Sequence, residues 1–203
     1  MHPNPAFRTN TEARNLEFAR DRGFGVLVVV ENGAPLISHV PFVLAESGDK
    51  IDLHLVRSNP ISRALSAPKE ATLIVSGPDG YVSPDWYEVQ DQVPTWNYVA
   101  VHLQGRIERL PSDELRPLLD CQSAHFENLL LPKKPWTSFK MEPEALERMM
   151  RMIAPFRLTI EKVDGTWKLN QNKPDDVRLR ASGKVVDGVG QELNQLADLM
   201  KST

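Results

Sequence analysis

Polar and aromatic side chains crowd the start of the stretch VPTWNYVAVHLQG, residues 93–105. Its second half alternates apolar and polar residues as a half-buried strand does. Two tryptophans and two tyrosines near its start could form a flat-walled slot for a planar heteroaromatic ligand, with hydroxyl and amide groups at the rim. A well-packed corner of a barrel is the alternative. We call this group the strand-entrance cluster, and it consists of Ser83, Trp86, Tyr87, Thr95, Trp96, Asn97 and Tyr98.

A second group follows a predicted strand, in the segment VRSNPISR, residues 56–63. Asn59 is a good N-cap residue and Pro60 suits the first position of a helix. A helix N-terminus offers free N–H groups, and guanidinium groups from Arg57 and Arg63 could add bidentate donors for a phosphate. On the residues alone, an ordinary capped helix with surface arginines is the commoner arrangement. We call residues 57–63 the arginine turn.

A third group lies in TWKLNQN, residues 166–172, at a predicted strand end. Carboxamides both donate and accept hydrogen bonds, so they can recognise the polar edge of a heterocycle. A nearby lysine could stabilise negative charge that develops on such a ring. The alternative is a polar strand end that runs into a turn. The polar members of this group are Lys168, Asn170, Gln171 and Asn172.

Other kinds of chemistry have little support in the sequence. His39, His54 and His102 fall on three separate predicted strands without metal-ligand spacing, so no metal site is predicted. The single cysteine, Cys121, lies within a predicted helix, where we expect it to pack. No nucleophile elbow, Walker loop or dinucleotide-binding glycine motif is present.

Composition describes an ordinary globular chain of 203 residues, with 41% hydrophobic residues and a formal net charge of −3. The N-terminal residues lack the basic and apolar regions of a signal peptide, and no apolar run is long enough to span a membrane, so we expect a cytoplasmic protein. A protein that binds DNA directly usually has a basic excess, which this sequence does not show.

Apolar periodicity and turn residues predict mainly strands. The turn Asn32-Gly33 should join the first two strands, and Pro78–Gly80 should end the fourth strand. Gly105 should bend or bulge the fifth strand, and Asp164-Gly165 should form the turn of a closing hairpin. Strands are predicted at 24–31, 35–44, 50–56, 70–77 and 96–110, with the hairpin over 155–172. Helices are predicted within 9–22, where Thr9 and Glu12 have capping-box spacing, and from Pro60, and over 111–131, 142–153 and 191–200.

These elements predict an antiparallel barrel that is mainly β with helical additions. No linker divides the chain, so we expect a single domain over 1–203. A helical insertion should occupy about 111–153, and a polar C-terminal extension about 181–203.

In this order, the segments FGVLVVV, HVPF, VRSNP, GYVSPDWY, VPTWNYVAVHLQG and FRLTIEKVDGTWKLNQN resemble the PaiB-type family. Members of that family are usually described as FMN-binding negative transcriptional regulators. The similarity runs from about residue 1 to 180, and the sequence departs from it at Asn170, where serine is expected. The resemblance implies an FMN-binding split β-barrel, usually a homodimer with the flavin near the subunit interface, and a repressor of protease production and sporulation.

The resemblance also makes phosphate binding the favoured interpretation of the arginine turn. Ser62-Arg63 matches the place of a Ser-Arg pair that holds the phosphate in flavin-nucleotide oxidases of similar fold. The other groups are implied to surround the flavin ring, where a partner subunit could complete the slot. The cofactor-binding residues that follow are His39, Pro41, Arg57, Ser58, Asn59, Arg63, Ser83, Trp86, Thr95, Trp96, Asn97, Lys168, Gln171 and Asn172.

Three functions remain open from the sequence. The first is an FMN-binding regulator that senses redox or metabolic state; DNA is a partner by resemblance only, because the charge does not favour it. The second is an FMN-dependent oxidoreductase or flavin reductase using a nicotinamide nucleotide, in which His39 or His102 could donate a proton near the ring. The third is a haem-binding protein on the same barrel, for which one of the five histidines would have to serve as ligand.

Overall fold

One sheet organises the chain in the computed structural model, which describes residues 2–203. The strand order is β2-β1-β5-β6-β7-β4-β3, with β8 paired to β5, so the path has two ends and is not closed. The registered pairs are antiparallel. The strands are β1 Phe24–Glu31, β2 Ala34–Pro41, β3 Val43–Leu44, β4 Lys50–Val56, β5 Lys69–Val82, β6 Thr95–Arg109, β7 Ile153–Lys168 and β8 Gly190–Gln191.

Helices and short 3₁₀ turns connect these strands. The α-helices are α1 Glu12–Arg22, α2 Pro60–Ala64, α3 Leu115–Asn128, α4 Pro143–Met150, α5 Asp175–Val185 and α6 Leu193–Lys201. The 3₁₀ turns are Pro5–Phe7, Pro84–Tyr87, Ser112–Glu114 and Ser138–Lys140. Within residues 2–203, no helix has both the length and the apolar character needed to cross a bilayer.

Contacts divide the chain into two compact units, each with its own core. The first comprises residues 2–15, Val75–His102 and Asp164–Thr203, and the second comprises Leu16–Ile74 and Leu103–Val163. Fully buried side chains of the first include Tyr87, Val101 and Leu196, and those of the second include Leu27, Leu53, Leu103 and Phe156.

The hairpin of β1 and β2 is the clearest case of a local signal that fixes structure. Asn32 and Gly33 have φ values of 51° and 78°, and Glu31 pairs with Ala34 across the two-residue turn. Both turn positions thus have the positive φ that this kind of hairpin requires. The prediction of a hairpin here is confirmed.

Two predicted turns are wrong because strands continue through them. Residues Pro78–Gly80 belong to β5, and Asp79 and Gly80 pair with Gln191 and Gly190 of β8. The predicted hairpin over 155–172 is a single strand, β7, that passes through Asp164-Gly165. Glycine is needed at position 165 because the Asn15 side chain packs against it: an added Cβ would lie 2.1 Å from Asn15 Oδ1.

A bulge or a bend was predicted at Gly105, and the bulge is wrong. Buried and less buried residues keep alternating along β6 from Asn97 through Ile107, whereas an extra residue would shift that phase. A Cβ on Gly105 would lie 1.9 Å from the carbonyl oxygen of Thr159. Glycine is therefore needed here for close approach of two strands.

Three helical predictions need correction. Thr11, rather than Thr9, caps α1, since its Oγ1 accepts a hydrogen bond of 3.2 Å from the Arg14 N–H. The predicted helix over 111–131 begins as a 3₁₀ turn and ends at Asn128. Its Cys121 is exposed and does not pack as expected.

The C-terminal extension predicted over 181–203 is not simply polar, because it contains the end of α5 and all of α6, and these two helices pack against each other. Ala181, Val185 and Met200 have no exposed surface. Buried Arg178 donates from Nε to the carbonyl oxygen of Met200 at 2.8 Å and so satisfies a free acceptor at the end of α6. Helix α5 had no counterpart in the sequence prediction.

Candidate functional site

Asn59 holds the arginine turn in shape. Its Oδ1 accepts a hydrogen bond of 2.9 Å from the Ile61 N–H, and its Nδ2 donates to Ser38 Oγ at 3.0 Å. The first bond caps α2, as predicted, and the second ties the turn to β2. Both ends of the Asn59 amide are therefore used for structure.

The two arginines of this turn lie at the surface, and neither forms an ion pair with an acidic side chain in the described part of the chain. Arg57 is anchored by its backbone N–H, which donates to the Met152 carbonyl oxygen at 2.8 Å, and by Nε, which donates to that of Arg151 at 2.9 Å. Arg57, Ser58 and Arg63 are exposed. Among residues 2–203, no carboxylate forms an ion pair with either guanidinium. Several strong donors are thus left for an external anion.

A third arginine contacts α2, and the sequence reasoning missed it. Arg109, at the end of β6, donates from Nη2 to the Ser62 carbonyl oxygen at 2.9 Å and to Ser62 Oγ at 3.0 Å. Ser62 is almost fully buried, so its hydroxyl faces Arg109 and not solvent. Because 47 residues separate the two along the chain, no local spacing indicated the contact.

His39 and Pro41 lie on β2, in the same unit as the arginine turn. His39 is exposed, and its ring stacks near that of Phe24 at a centroid distance of 6.4 Å. Pro41 is half-buried and pairs with Phe24 in the sheet register. His39 therefore presents an imidazole edge at the surface of this unit.

In the other unit, two members of the strand-entrance cluster turn inward. Asn97 has no exposed surface; its Nδ2 donates to Met200 Sδ at 3.5 Å, and its Oδ1 has no partner among the described residues. Tyr87 is also fully buried, and its hydroxyl accepts a hydrogen bond of 3.1 Å from Asn170 Nδ2. Burial raises the pKa of the Tyr87 phenol. Both side chains form part of the core.

The indoles of the cluster have separate neighbours. Trp96 is 42% exposed and donates from Nε1 to Asp79 Oδ1 at 2.9 Å. Trp86 lies against Gly188, where an added Cβ would be 3.0 Å from the ring. Ser83 caps the 3₁₀ turn before Trp86, since its Oγ accepts from the Asp85 N–H at 3.3 Å. No ring contact joins the two indoles in the described part of the chain.

Lys168 is the member of the third group whose ammonium has no acidic partner among the described residues. Its Nζ donates to Thr95 Oγ1 and lies 5.9 Å from the centre of the Phe7 ring. None of the described carboxylates forms an ion pair with it, and burial lowers the pKa of its ammonium group. The structure thus brings Thr95 and Lys168 together, as two predicted contacts for a ligand.

The three carboxamides beside Lys168 differ in what they contact: Gln171 bonds to the backbone, and Asn170 bonds to the Tyr87 hydroxyl. Gln171 accepts from the Leu169 N–H at 2.7 Å and donates to the Trp167 carbonyl oxygen at 2.5 Å. Asn170 has a φ of 64°, a region that asparagine tolerates better than serine, which accounts for the departure noted in the sequence. Asn172 is exposed. Of the three, Asn172 is therefore the one left free for a ligand.

Taken separately, the units offer two kinds of chemistry. The planar guanidinium groups of the arginine turn can bind two oxygens of a carboxylate or phosphate, and the Lys168–Thr95 pair can donate to an electron-rich polar edge. Among residues 2–203, no three histidine, cysteine or acidic side chains gather where they could hold a metal ion.

The chain belongs to the family described as "Putative FMN-binding domain", which it matches over residues 1–162. It is 29% identical to the Protease synthase and sporulation protein PAI 2 of Bacillus subtilis, over 97% of this chain and 95% of that protein. It is 25% identical to an uncharacterized protein of Aspergillus fumigatus, over 76% of this chain and 79% of the other. The predicted PaiB-type family and its cofactor, FMN, are thereby confirmed.

Solved structures share the fold. An FAD- and haem-binding protein of Mycobacterium smegmatis superposes with a TM-score of 0.58 at 18% identity, over 80% of this chain and 73% of that one. A conserved hypothetical protein of Mycobacterium tuberculosis gives 0.57 at 14% identity, over 83% and 92%. Together with the antiparallel sheet, these similarities confirm the predicted split-barrel fold that is mainly β with helical additions.

Proposed function

We propose that this member of the FMN-binding domain family is an FMN-dependent sensor that acts as a regulator, and that the arginine turn holds the phosphate of FMN. One observation carries the proposal: Arg57 and Arg63 lie exposed in a turn fixed by Asn59, without acidic partners among the described residues. Arg157 differs from these two arginines, because its guanidinium donates two hydrogen bonds of 2.7 and 2.8 Å to the Asp52 carboxylate.

The phosphate of FMN suits this turn chemically. It offers several anionic oxygens, and arginine guanidiniums bind such groups with paired, charge-assisted hydrogen bonds. Ser58, between Arg57 and Asn59, adds an exposed hydroxyl. Arg109 would hold Ser62 and the short α2 in place.

We propose the Lys168–Thr95 pair separately, as a contact for the polar edge of a flavin ring. A partly buried ammonium without a carboxylate is unfavourable unless another acceptor approaches it. The flavin supplies redox chemistry when bound, and a positive charge beside its polar edge favours the reduced, more electron-rich ring. Exposed Trp96 and Asn172 lie in the same unit and remain proposed contacts, as do His39 and Pro41 in the other.

A regulatory role rests on sequence similarity. The match to the PAI 2 protein extends over nearly the full length of both chains, which supports a shared role in controlling protease production and sporulation. The net charge of −3 argues against direct contact with DNA. We propose that the protein is a cytoplasmic homodimer, as its family resemblance implies. Because direct contact with DNA is disfavoured, its signal would pass through another protein or a small molecule.

An FMN-dependent oxidoreductase is the second candidate, and Lys168 is the observation that favours it. Burial lowers the pKa of its ammonium group, which would make it a better proton donor to a reduced ring than an ordinary surface lysine.

Turnover with a reduced nicotinamide nucleotide separates the two candidates. FMN-loaded protein is mixed with NADH or NADPH and a panel of quinone, nitro and ferric acceptors, and absorbance at the nicotinamide band is followed. The sensor proposal predicts no oxidation faster than with the same concentration of free FMN. Acceleration that is lost in Lys168→Met while FMN stays bound would establish the oxidoreductase instead.

A further inference from the structure

A stretch of exposed apolar side chains follows the end of α3, in LLLPKKPWTSFKM, residues 129–141. Phe139 is 90% exposed, and three consecutive leucines are between 54% and 66% exposed. Single apolar side chains at a surface are ordinary, whereas a group of them marks a surface that meets an apolar partner. We call residues 129–141 the leucine–lysine segment, and its exposed large apolar residues are Leu129, Leu130, Leu131, Trp136 and Phe139.

Hydrogen bonds hold this segment against the end of α3. The Glu127 carboxylate accepts from Lys133 Nζ and, at 2.7 Å, from the Trp136 backbone N–H. These two contacts hold the pKa of the Glu127 carboxyl below its usual range. Further along, the Lys140 backbone N–H donates to the Thr137 carbonyl oxygen at 3.0 Å. The apolar side chains are therefore presented by a loop that has its own hydrogen bonds.

The charge of the segment is opposite to that of the whole chain. The segment contains Lys133, Lys134 and Lys140 and no acidic residue, whereas the chain has a formal net charge of −3. Lys134 and Lys140 are exposed, and neither forms an ion pair with a described carboxylate. Positive charge beside exposed apolar surface indicates a partner that is both negatively charged and apolar.

A protein surface fits these features poorly. In a two-fold dimer the same patch of each copy meets, so a second copy docked here would bring two sets of lysines together. Lysine is also depleted in protein–protein interfaces generally. Lysine with tryptophan, phenylalanine and leucine is instead the composition of segments that lie in the interface of a bilayer, where anionic lipids attract the ammonium groups.

We infer that the leucine–lysine segment binds the surface of an anionic lipid bilayer. Phe139 and the three leucines insert among the upper acyl chains, and Lys134 and Lys140 lie at the level of the headgroup phosphates. Binding of this kind is peripheral and reversible, because only a few apolar side chains are inserted. The inference goes beyond the proposed FMN-dependent role and does not depend on FMN binding.

Co-sedimentation of the full-length protein with vesicles tests this inference. Vesicles of phosphatidylcholine alone are compared with vesicles of equal parts phosphatidylcholine and phosphatidylglycerol. The protein should bind the anionic vesicles at least about tenfold more tightly at low salt, and the difference should shrink as salt is added. The measurement is made with and without FMN, so a failure of FMN to bind is seen separately.

Substitutions separate the apolar contribution from the electrostatic one. Phe139→Ser should lower the affinity for anionic vesicles by about tenfold, because the phenyl ring is no longer buried in the bilayer. Its control is Val93→Ser, at an apolar position of the other unit that is 73% exposed, which should have no effect. Lys134→Gln should lower the affinity about fivefold, and Lys162→Gln, at an exposed position of the same unit, should leave it unchanged.

Four results would overturn the inference. The first is that the protein binds neither kind of vesicle, or both equally. The second is unchanged affinity in Phe139→Ser. The third is a loss of dimers in Phe139→Ser by analytical ultracentrifugation, which would assign the segment to contact between copies. The fourth is tighter binding to a soluble glutamate–tyrosine copolymer than to the vesicles, weakened by Phe139→Ser, which would indicate an acidic protein as partner.

Discussion

The arginine turn and the strand-entrance cluster both have polar groups that suggest ligand binding, yet they differ in how those groups are used. Arg57 and Arg63 are exposed and lack acidic partners among the described residues. Asn97 and Tyr87 are fully buried, and Tyr87 is hydrogen-bonded to Asn170 inside its own unit. Substitution of Arg57 or Arg63 should therefore weaken ligand binding without lowering stability, whereas substitution of Asn97 or Tyr87 should lower stability.

The largest effect is expected in the turn. The double variant Arg57→Gln and Arg63→Gln should lower the affinity for FMN by at least about a hundredfold, because two groups that form charge-assisted hydrogen bonds are lost. Riboflavin, which lacks the phosphate, should bind the variant and the wild type alike. Flavin fluorescence titration measures both affinities.

The control variant removes two positive charges at other positions. Arg106→Gln with Lys162→Gln changes exposed positions of the same unit and should leave FMN affinity near that of the wild type. If this pair weakened FMN as much as the turn variant did, the effect would be one of general charge, and the turn would lose its proposed role.

Within the strand-entrance cluster, Tyr87→Phe should reduce stability. It leaves the buried Asn170 Nδ2 without an acceptor, which costs about 1–3 kcal/mol of unfolding free energy. Urea denaturation measures this, and Tyr98→Phe, at a half-buried position without a described hydrogen bond, serves as the matched control. Equal stability of the two variants would show that the Tyr87 hydroxyl is not held as described.

A smaller effect is expected where the turn is capped. Asn59→Ala removes the acceptor for the Ile61 N–H and should lower the free energy of unfolding by about 1 kcal/mol. Asn59→Asp keeps that acceptor but adds negative charge beside the arginines. Asn59→Asp should retain most of the stability and still lower the affinity for FMN. An Asp variant that binds FMN as the wild type does would contradict phosphate binding at this turn.

The smallest effect concerns pH. Burial lowers the pKa of Lys168 below its ordinary value of 10.5, so the unfolded chain binds more protons than the folded one between the two pKa values. The stability of the protein relative to Lys168→Met should therefore rise as the pH increases through that interval. Denaturation at a series of pH values measures the difference, and a difference that stays constant up to pH 10.5 would contradict the burial of this ammonium.

The parts of the fold that depend on neighbouring residues were predictable from the sequence. The Asn32-Gly33 hairpin, β4 and the Asn59 cap follow from turn and capping chemistry within a few residues. The continuation of β5 through Pro78–Gly80 was not predictable, because its partner Gln191 lies more than a hundred residues later. Long-range pairing there overrides a strong local turn signal.

The candidate site shows the same division. The exposed arginines could be identified from their spacing around a helix start, since their role needs only local structure. The inward direction of Asn97 could not, because it depends on Met200, 103 residues away. The role of Arg109 could not be predicted for the same reason, because its contact with Ser62 joins the end of β6 to α2, 47 residues away in the sequence.

The most direct test of the central claim is the affinity of the wild-type protein for FMN compared with riboflavin. Because the two ligands differ only by the phosphate, their ratio isolates what the arginine turn contributes. We predict that FMN binds at least about a hundredfold more tightly, and that the advantage shrinks as salt is added. Equal affinities, or an advantage that salt does not change, would contradict the assignment of the arginine turn to the phosphate.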